Sequence, residues 1–231
     1  MRAPLLTAAA LAAALLTGGC TEVPAVPSPP AIPSGENERD DLLKIAQQSL
    51  VDRCLTARGL RPPSQGTTSK PTAEDRKARD ALFGTGAREL SVTLATGYTV
   101  TAHSDGCLAE AQRTLYGDQR RWFRAQVTVN NIDAEAAARM AKVPEYQAAR
   151  ARWERCVGPA GDDKPPAPAV QARCDRESGL GRTRARLEPN LLAEVRELRR
   201  TELAAYGELR DRALRRAVVT LASARPENDP G

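Results

Sequence analysis

The chain has 231 residues and a formal net charge of +5, with 34 basic residues against 29 acidic ones, and 41% of it is hydrophobic but only 3% aromatic. The cationic excess is mild and argues against nucleic acid as a partner. The length fits one domain of ordinary size or a pair of small helical ones. A core drawn mainly from Leu, Val and Ala must be packed from helices through small-residue contacts.

Taken in order, the first element is the run Met1–Cys20. Arg2 supplies a positive charge, Pro4–Leu16 is almost wholly Ala and Leu, and Leu16-Thr17-Gly18-Gly19-Cys20 closes it. The run is too short to span a membrane and has the flanks of a secretory signal. It resembles a bacterial lipoprotein signal with its lipobox, with Thr17 where leucine is usual. That resemblance implies that residues 1–19 are removed and that Cys20 is acylated. The mature protein would then be held by membrane lipid on the outer face of the cytoplasmic membrane.

Residues 20–39 follow as a tether. Prolines at 24, 27, 29, 30 and 33 keep the backbone extended, and at about 3.1 Å per residue the segment reaches some 50–60 Å at most. A helical domain is expected over 40–224, and 225–231 reads as a flexible tail. Its first helix is expected from Asp40 or Asp41 to about Ala57, with Leu43, Ala46, Leu50 and Cys54 at helical spacing. Gly59 stops it and a Pro/Gly loop follows. Thr72 and Asp75 have the spacing of a capping box for a short second helix. Over residues 88–102, Leu90, Val92 and Leu94 alternate, as do Tyr98 and Val100. Either a small hairpin or an irregular loop packed on the helices fits.

Ser104 or Asp105 is the expected cap of the next helix, which carries Cys107, Leu108, Ala111 and Leu115 on one face and is interrupted at Gly117. Trp122, Phe123 and Val127 resume the apolar side. Asp133 is placed to cap residues 134–142, and Pro144 fits a first helical position. A second Pro/Gly loop covers 158–169. A short turn of helix past Cys174 ends at Gly179 or Gly181. The last element is the strongest: Leu187, Leu191, Val195 and Leu198, then Tyr206, Leu209, Ala213 and Ala217, predict one helix from Pro189 to Ala222. At 1.5 Å per residue it would be roughly 50 Å long, with room to bend at Glu202, Ala205 and Gly207.

The chain holds five cysteines. If Cys20 is acylated, an even set remains, which in an oxidising compartment reads as two disulfides. Two segments match: Asp52-Arg53-Cys54 before Gly59, and Glu154-Arg155-Cys156 before Gly158. Each ends an apolar-faced helix, and each is followed by a loop and then a cysteine near the start of a later helix. Such cysteines meet at one end of an antiparallel pair. The arrangement favours Cys54–Cys107 and Cys156–Cys174 and leaves the other two connectivities open.

Gly106-Cys107-x-x-x-Ala111 leading to Leu115-Tyr116-Gly117, Trp153-x-x-Cys156 and the late Cys174 before Leu180 carry a second resemblance. Over roughly Leu43–Leu221 the chain is similar to uncharacterised exported proteins of actinobacteria. Its composition, with five lysines against twenty-nine arginines and abundant Ala, has the same high-GC character. The resemblance implies a helical, four-cysteine domain and assigns no activity.

His103 is the sole imidazole, in His103-Ser104-Asp105-Gly106-Cys107. A nucleophile, a base and an orienting group must come within hydrogen-bond reach for catalysis. A disulfide at Cys107 would leave no thiolate, so capping or loop hydrogen bonding is the expected role of His103. The cysteines lack metal-site spacing and no H-E-x-x-H occurs, so neither metal nor cofactor is expected. Trp122, flanked by arginines, is the first candidate for a surface contact residue. Arg212, Arg215 and Arg216 make a local basic end suited to lipid headgroups or an acidic wall polymer. Trp153 lies on an apolar stripe and reads as core.

The expectation is therefore an all-α, up-down bundle with a long C-terminal helix, braced by two disulfides, with a minor hairpin near 88–102. Its expected work is a non-enzymatic structural or interaction role in the cell envelope, towards an envelope protein or wall polymer. The rival is a wall-active hydrolase or transferase with a site near His103.

Overall fold

A computed structural model describes residues 31–62, 72–158 and 166–223. The leader, Cys20, the tether up to residue 30 and the tail lie outside these residues. Helix α1 runs Glu36–Ala57, four residues earlier than expected. Gly35 stays extended (φ −75°, ψ 141°), and Glu36 and Glu38 sit in the first turn, where the positive helix end favours them. Arg39 Nε donates to the Pro33 carbonyl at 2.8 Å. From the other end of the chain Arg210 pairs with both Glu36 and Asp40 at 2.7 Å. The expected tether boundary therefore moves from 39 back to Gly35.

Helix α2 (Ala73–Phe83) has the predicted capping box: Asp75 N–H donates to Thr72 Oγ1, and the Asp75 carboxylate accepts from Thr72 N–H. The ambiguous stretch is a hairpin, with β1 (Leu90–Thr93) antiparallel to β2 (Thr99–Ala102) and Val92 opposite Val100. A lone hairpin is marginal in water. This one buries Leu90 and packs β1 against a helix, α4 (Gln119–Val129).

Helix α3 (Cys107–Tyr116) is capped neither by Ser104 nor by Asp105. Its N-cap is Gly106 at φ +89°. Asp105 is used elsewhere: its Oδ2 accepts from the N–H groups of Thr85 and Gly86, both at 3.0 Å. This draws the turn after α2 onto the start of α3, so closely that a Cβ on Gly106 would stand 2.5 Å from the Gly84 nitrogen. Only glycine meets both the backbone angle and the space.

Gly117 (φ +85°) ends α3, and Asp118 caps α4 by accepting from Arg121 N–H at 2.9 Å. Helix α5 (Ile132–Met140) starts at Asn131, so Asp133 lies in its first turn and is not its cap. Helix α6 (Pro144–Val157) has Pro144 in its first turn as predicted, and α7 (Pro168–Ser178) ends at a left-handed Gly179.

The expected single terminal helix is two: α8 (Leu180–Leu198) and α9 (Arg200–Ala222), broken at Arg199 (φ −102°, ψ 16°). Pro189 lies inside α8 and not in its first turn. Its ring deprives the Ala185 carbonyl of a helical partner, and both residues face water. At the break the Arg199 side chain reaches across to Glu135 on α5.

Helices α1, α3, α4 and α9 enclose the main core, with Leu43, Ala46, Leu115, Trp122, Leu209 and Leu214 among its members. Alanines at 46, 213 and 217 let α1 and α9 approach closely. A second cluster (Val51, Leu55, Leu60, Cys107, Ala111) surrounds the first disulfide. A third joins α5 to α8 through Ile132, Ala136 and Val195. Both disulfides have the favoured connectivity, Cys54–Cys107 and Cys156–Cys174, each with Cα atoms 5.6 Å apart.

Candidate functional site

A groove runs between β1 and α4. It consists of two cavities, of about 290 Å³ and 370 Å³, that share Ser91, Val92 and Arg124, within the size range of ligand clefts. One wall is the strand. The other is α4, where Arg120, Arg124 and Thr128 recur every four residues and so stand on one helix face. Asn131 continues the row.

At its floor lies a charged clamp. Glu135 is 7% exposed. It accepts from Arg199 Nε at 2.9 Å and Arg139 Nη2 at 3.1 Å, and Arg139 also reaches Glu194 at 2.8 Å. Burial pushes the Glu135 carboxyl up, but the hydrogen bonds from Arg199 and Arg139 outweigh it and hold the group below its ordinary 4.5. A depressed folded-state value means that the clamp's stabilisation is fully present above the ordinary carboxylate range. It is lost as pH falls through the lowered value. Glu135→Gln is therefore expected to cost about 2 kcal/mol at pH 7, the scale of hydrogen bonds to charged groups. Thermal melts of the two proteins from pH 7 down to pH 3 should converge, and a gap that stays constant would remove the ionic account of this joint.

Elsewhere in the groove Arg121 pairs with Glu208 at 2.5 Å, and Arg120 approaches Glu89 at 3.9 Å. Arg124 has no ion-pair or hydrogen-bond partner among the described residues. Glu202, at the opposite end, has no salt bridge. The sequence reading did not single out this groove. Its residues are scattered from 89 to 202, and their meeting depends on the hairpin that the alternation left open.

Trp122 is not a surface contact residue. It is 3% exposed, stacked on Tyr116 at 3.6 Å and 7° and facing Tyr206 at 5.3 Å and 18°. Its arginine neighbours turn outward while the helical period sends the indole in. The same burial, with Tyr206 adding to it, pushes the Tyr116 hydroxyl up to about 12. Trp153, read as core, is only half-buried and belongs to none of the three core clusters.

Arg212, Arg215 and Arg216 do not act as one patch. Arg216 Nη1 donates to the last carbonyls of α3, Thr114 at 3.0 Å and Leu115 at 3.3 Å, where the negative helix end favours a cation. Arg212 donates to Glu208 at 2.9 Å. Arg215 alone is exposed without a partner among the described residues.

His103 Nδ1 lies 2.8 Å from the Gly86 carbonyl, so its N–H donates there. Asp105 serves the two backbone amides already described, which hold its carboxyl below the ordinary 3.8. Ser104 Oγ donates to Glu89 at 2.7 Å and not to the imidazole, and Cys107 is a fully buried half of a disulfide. The four side chains staple loops together and do not form a nucleophile-and-base pair. Among the described residues no cluster of three or more His, Cys, Asp or Glu is placed to hold a metal, and no helix is long and apolar enough to cross a membrane.

No family model, curated protein or solved structure matches the chain.

Proposed function

We propose that this is a lipid-anchored protein of the bacterial cell envelope. Its helical domain has a non-enzymatic structural or interaction role at the outer face of the cytoplasmic membrane. The observation that supports it is the use of the cysteines. Two cross-links consume Cys54, Cys107, Cys156 and Cys174, which leaves Cys20 as the odd residue, directly behind an apolar leader. A fold stapled twice fits an oxidising compartment, and an unpaired cysteine at a leader's end is the atom an acyl chain needs. One chain gives only marginal membrane residence, and two or more make the anchor stable. The geometry around His103 weighs against the rival hydrolase or transferase, because the imidazole, its nearest carboxylate and its nearest hydroxyl each hold a loop.

The test is fractionation of cells fed an alkyne-tagged fatty acid. The wild type should be recovered with membranes and carry the tag, and Cys20→Ala should lose both. Recovery of the intact, untagged wild type from the cytosol would overturn the reading.

A further inference from the structure

We propose that the groove between β1 and α4 takes an extended peptide that adds to β1 as a third strand and places an acidic side chain on Arg124. The inference deepens the interaction role proposed above and rests on it for the compartment in which the partner is met.

The strand itself is the first argument. Ser91, Val92 and Thr93 of β1 line one cavity in succession, with Leu94 to Thr96 of the turn beyond them, and Glu89 to Val92 line the other. A strand that presented a face would contribute every second residue, so β1 presents its edge. Leu94 N–H donates to the Tyr98 carbonyl at 2.8 Å. Continuing that ladder through the pairs Val92↔Val100 and Leu90↔Ala102, the antiparallel alternation turns the peptide groups of Ser91 and Thr93 away from β2 and into the groove. Among the described residues nothing hydrogen-bonds to them. An edge of this kind is a template for another strand, and a helix on the far side supplies side-chain selectivity in strand-addition sites.

The charge pattern selects the occupant. Arg124 stands at the junction of the two cavities with no partner, whereas Arg121 and Arg199 are already paired. One carboxylate is what the groove lacks. A polymer with an anion on every repeat would also meet Glu202, which lines the same cavity and forms no salt bridge among the described residues. A peptide places its single acid opposite Arg124 and a neutral residue at the far end. The strand is four residues long, about 13 Å at 3.3 Å per residue, so four or five peptide residues fill the site.

The probe is a displayed library of random heptapeptides, selected on the mature, disulfide-bonded chain in detergent. The enriched peptides should share one Asp or Glu. As synthetic peptides they should bind at least tenfold more weakly to Arg124→Gln and to Ser91→Pro, which removes an outward N–H without touching the β1–β2 ladder. Amide exchange at Ser91 and Thr93 should slow in the complex. Circular dichroism checks that both variants fold, and Arg124→Gln, an exposed change, carries the test if the proline does not. No enrichment above background, peptides without an acid, or equal binding to Arg124→Gln would overturn the proposal. So would tighter binding of poly(glycerol phosphate) than of any selected peptide. Since the fatty-acid label reads only Cys20, either result can fail alone.

Discussion

Replacing Cys54 and Cys107 together by alanine is expected to remove about 4 kcal/mol of stability, and replacing Cys156 and Cys174 about 3 kcal/mol. The order follows from the loops they close. The first pair spans 53 residues and the second 18, and the longer loop confines the unfolded chain more. Burial does not separate the two pairs, since Cys107 and Cys174 are both fully buried and Cys54 and Cys156 both half-buried, so loop length sets the order. Against a typical domain stability of about 5–15 kcal/mol, either loss removes a large share, and loss of the first cross-link should give the lower urea midpoint. Urea unfolding of the two double variants under non-reducing conditions measures both. A variant lacking the second pair that proves the weaker of the two would sink this account.

The cysteines were the most legible part of the chain because their signal is local. A cysteine in the last turn of a helix, followed by a loop and a later cysteine in the next helical stretch, favoured the pairing found, although Cys174 lies in the second half of α7 and not near its start. Thr72 with Asp75 was equally readable, since a capping box depends on residues three apart, and so was Pro144, whose own ring suits a first helical position. What escaped was set by distant contacts. Nothing near Arg199 announces a break between α8 and α9, and the partner its side chain meets there, Glu135 on α5, lies 64 residues earlier. Asp105 looked like a cap and instead holds the turn after α2. The groove shared this difficulty: Arg124 was one cation among many until β1 was placed beside it.

Trp122→Ala is expected to cost about 3–5 kcal/mol, the range for emptying a buried aromatic site. It also removes the middle ring of a stack that joins α3, α4 and α9. The indole Nε1 is buried without a hydrogen-bond partner, so Trp122→Phe forfeits no hydrogen bond and should cost far less. Chemical unfolding of the two variants gives both values, and near-ultraviolet circular dichroism should lose most of its aromatic signal in the first alone. An alanine variant as stable as the wild type would place the indole at the surface, as its arginine neighbours had suggested.

The two ends of α1 are fastened differently, by Arg210 at Glu36 and Asp40 and by a covalent bond at Cys54. Both fastenings lie within one rod that leads directly from the chain preceding Ala31. Any pull transmitted along that chain arrives first at the ionic fastening. If the ionic end gives way, the sulfur bridge still ties α1 to α3. For the lipid-anchored protein proposed above, load on the anchor would thus meet two fastenings in turn, one ionic and one covalent.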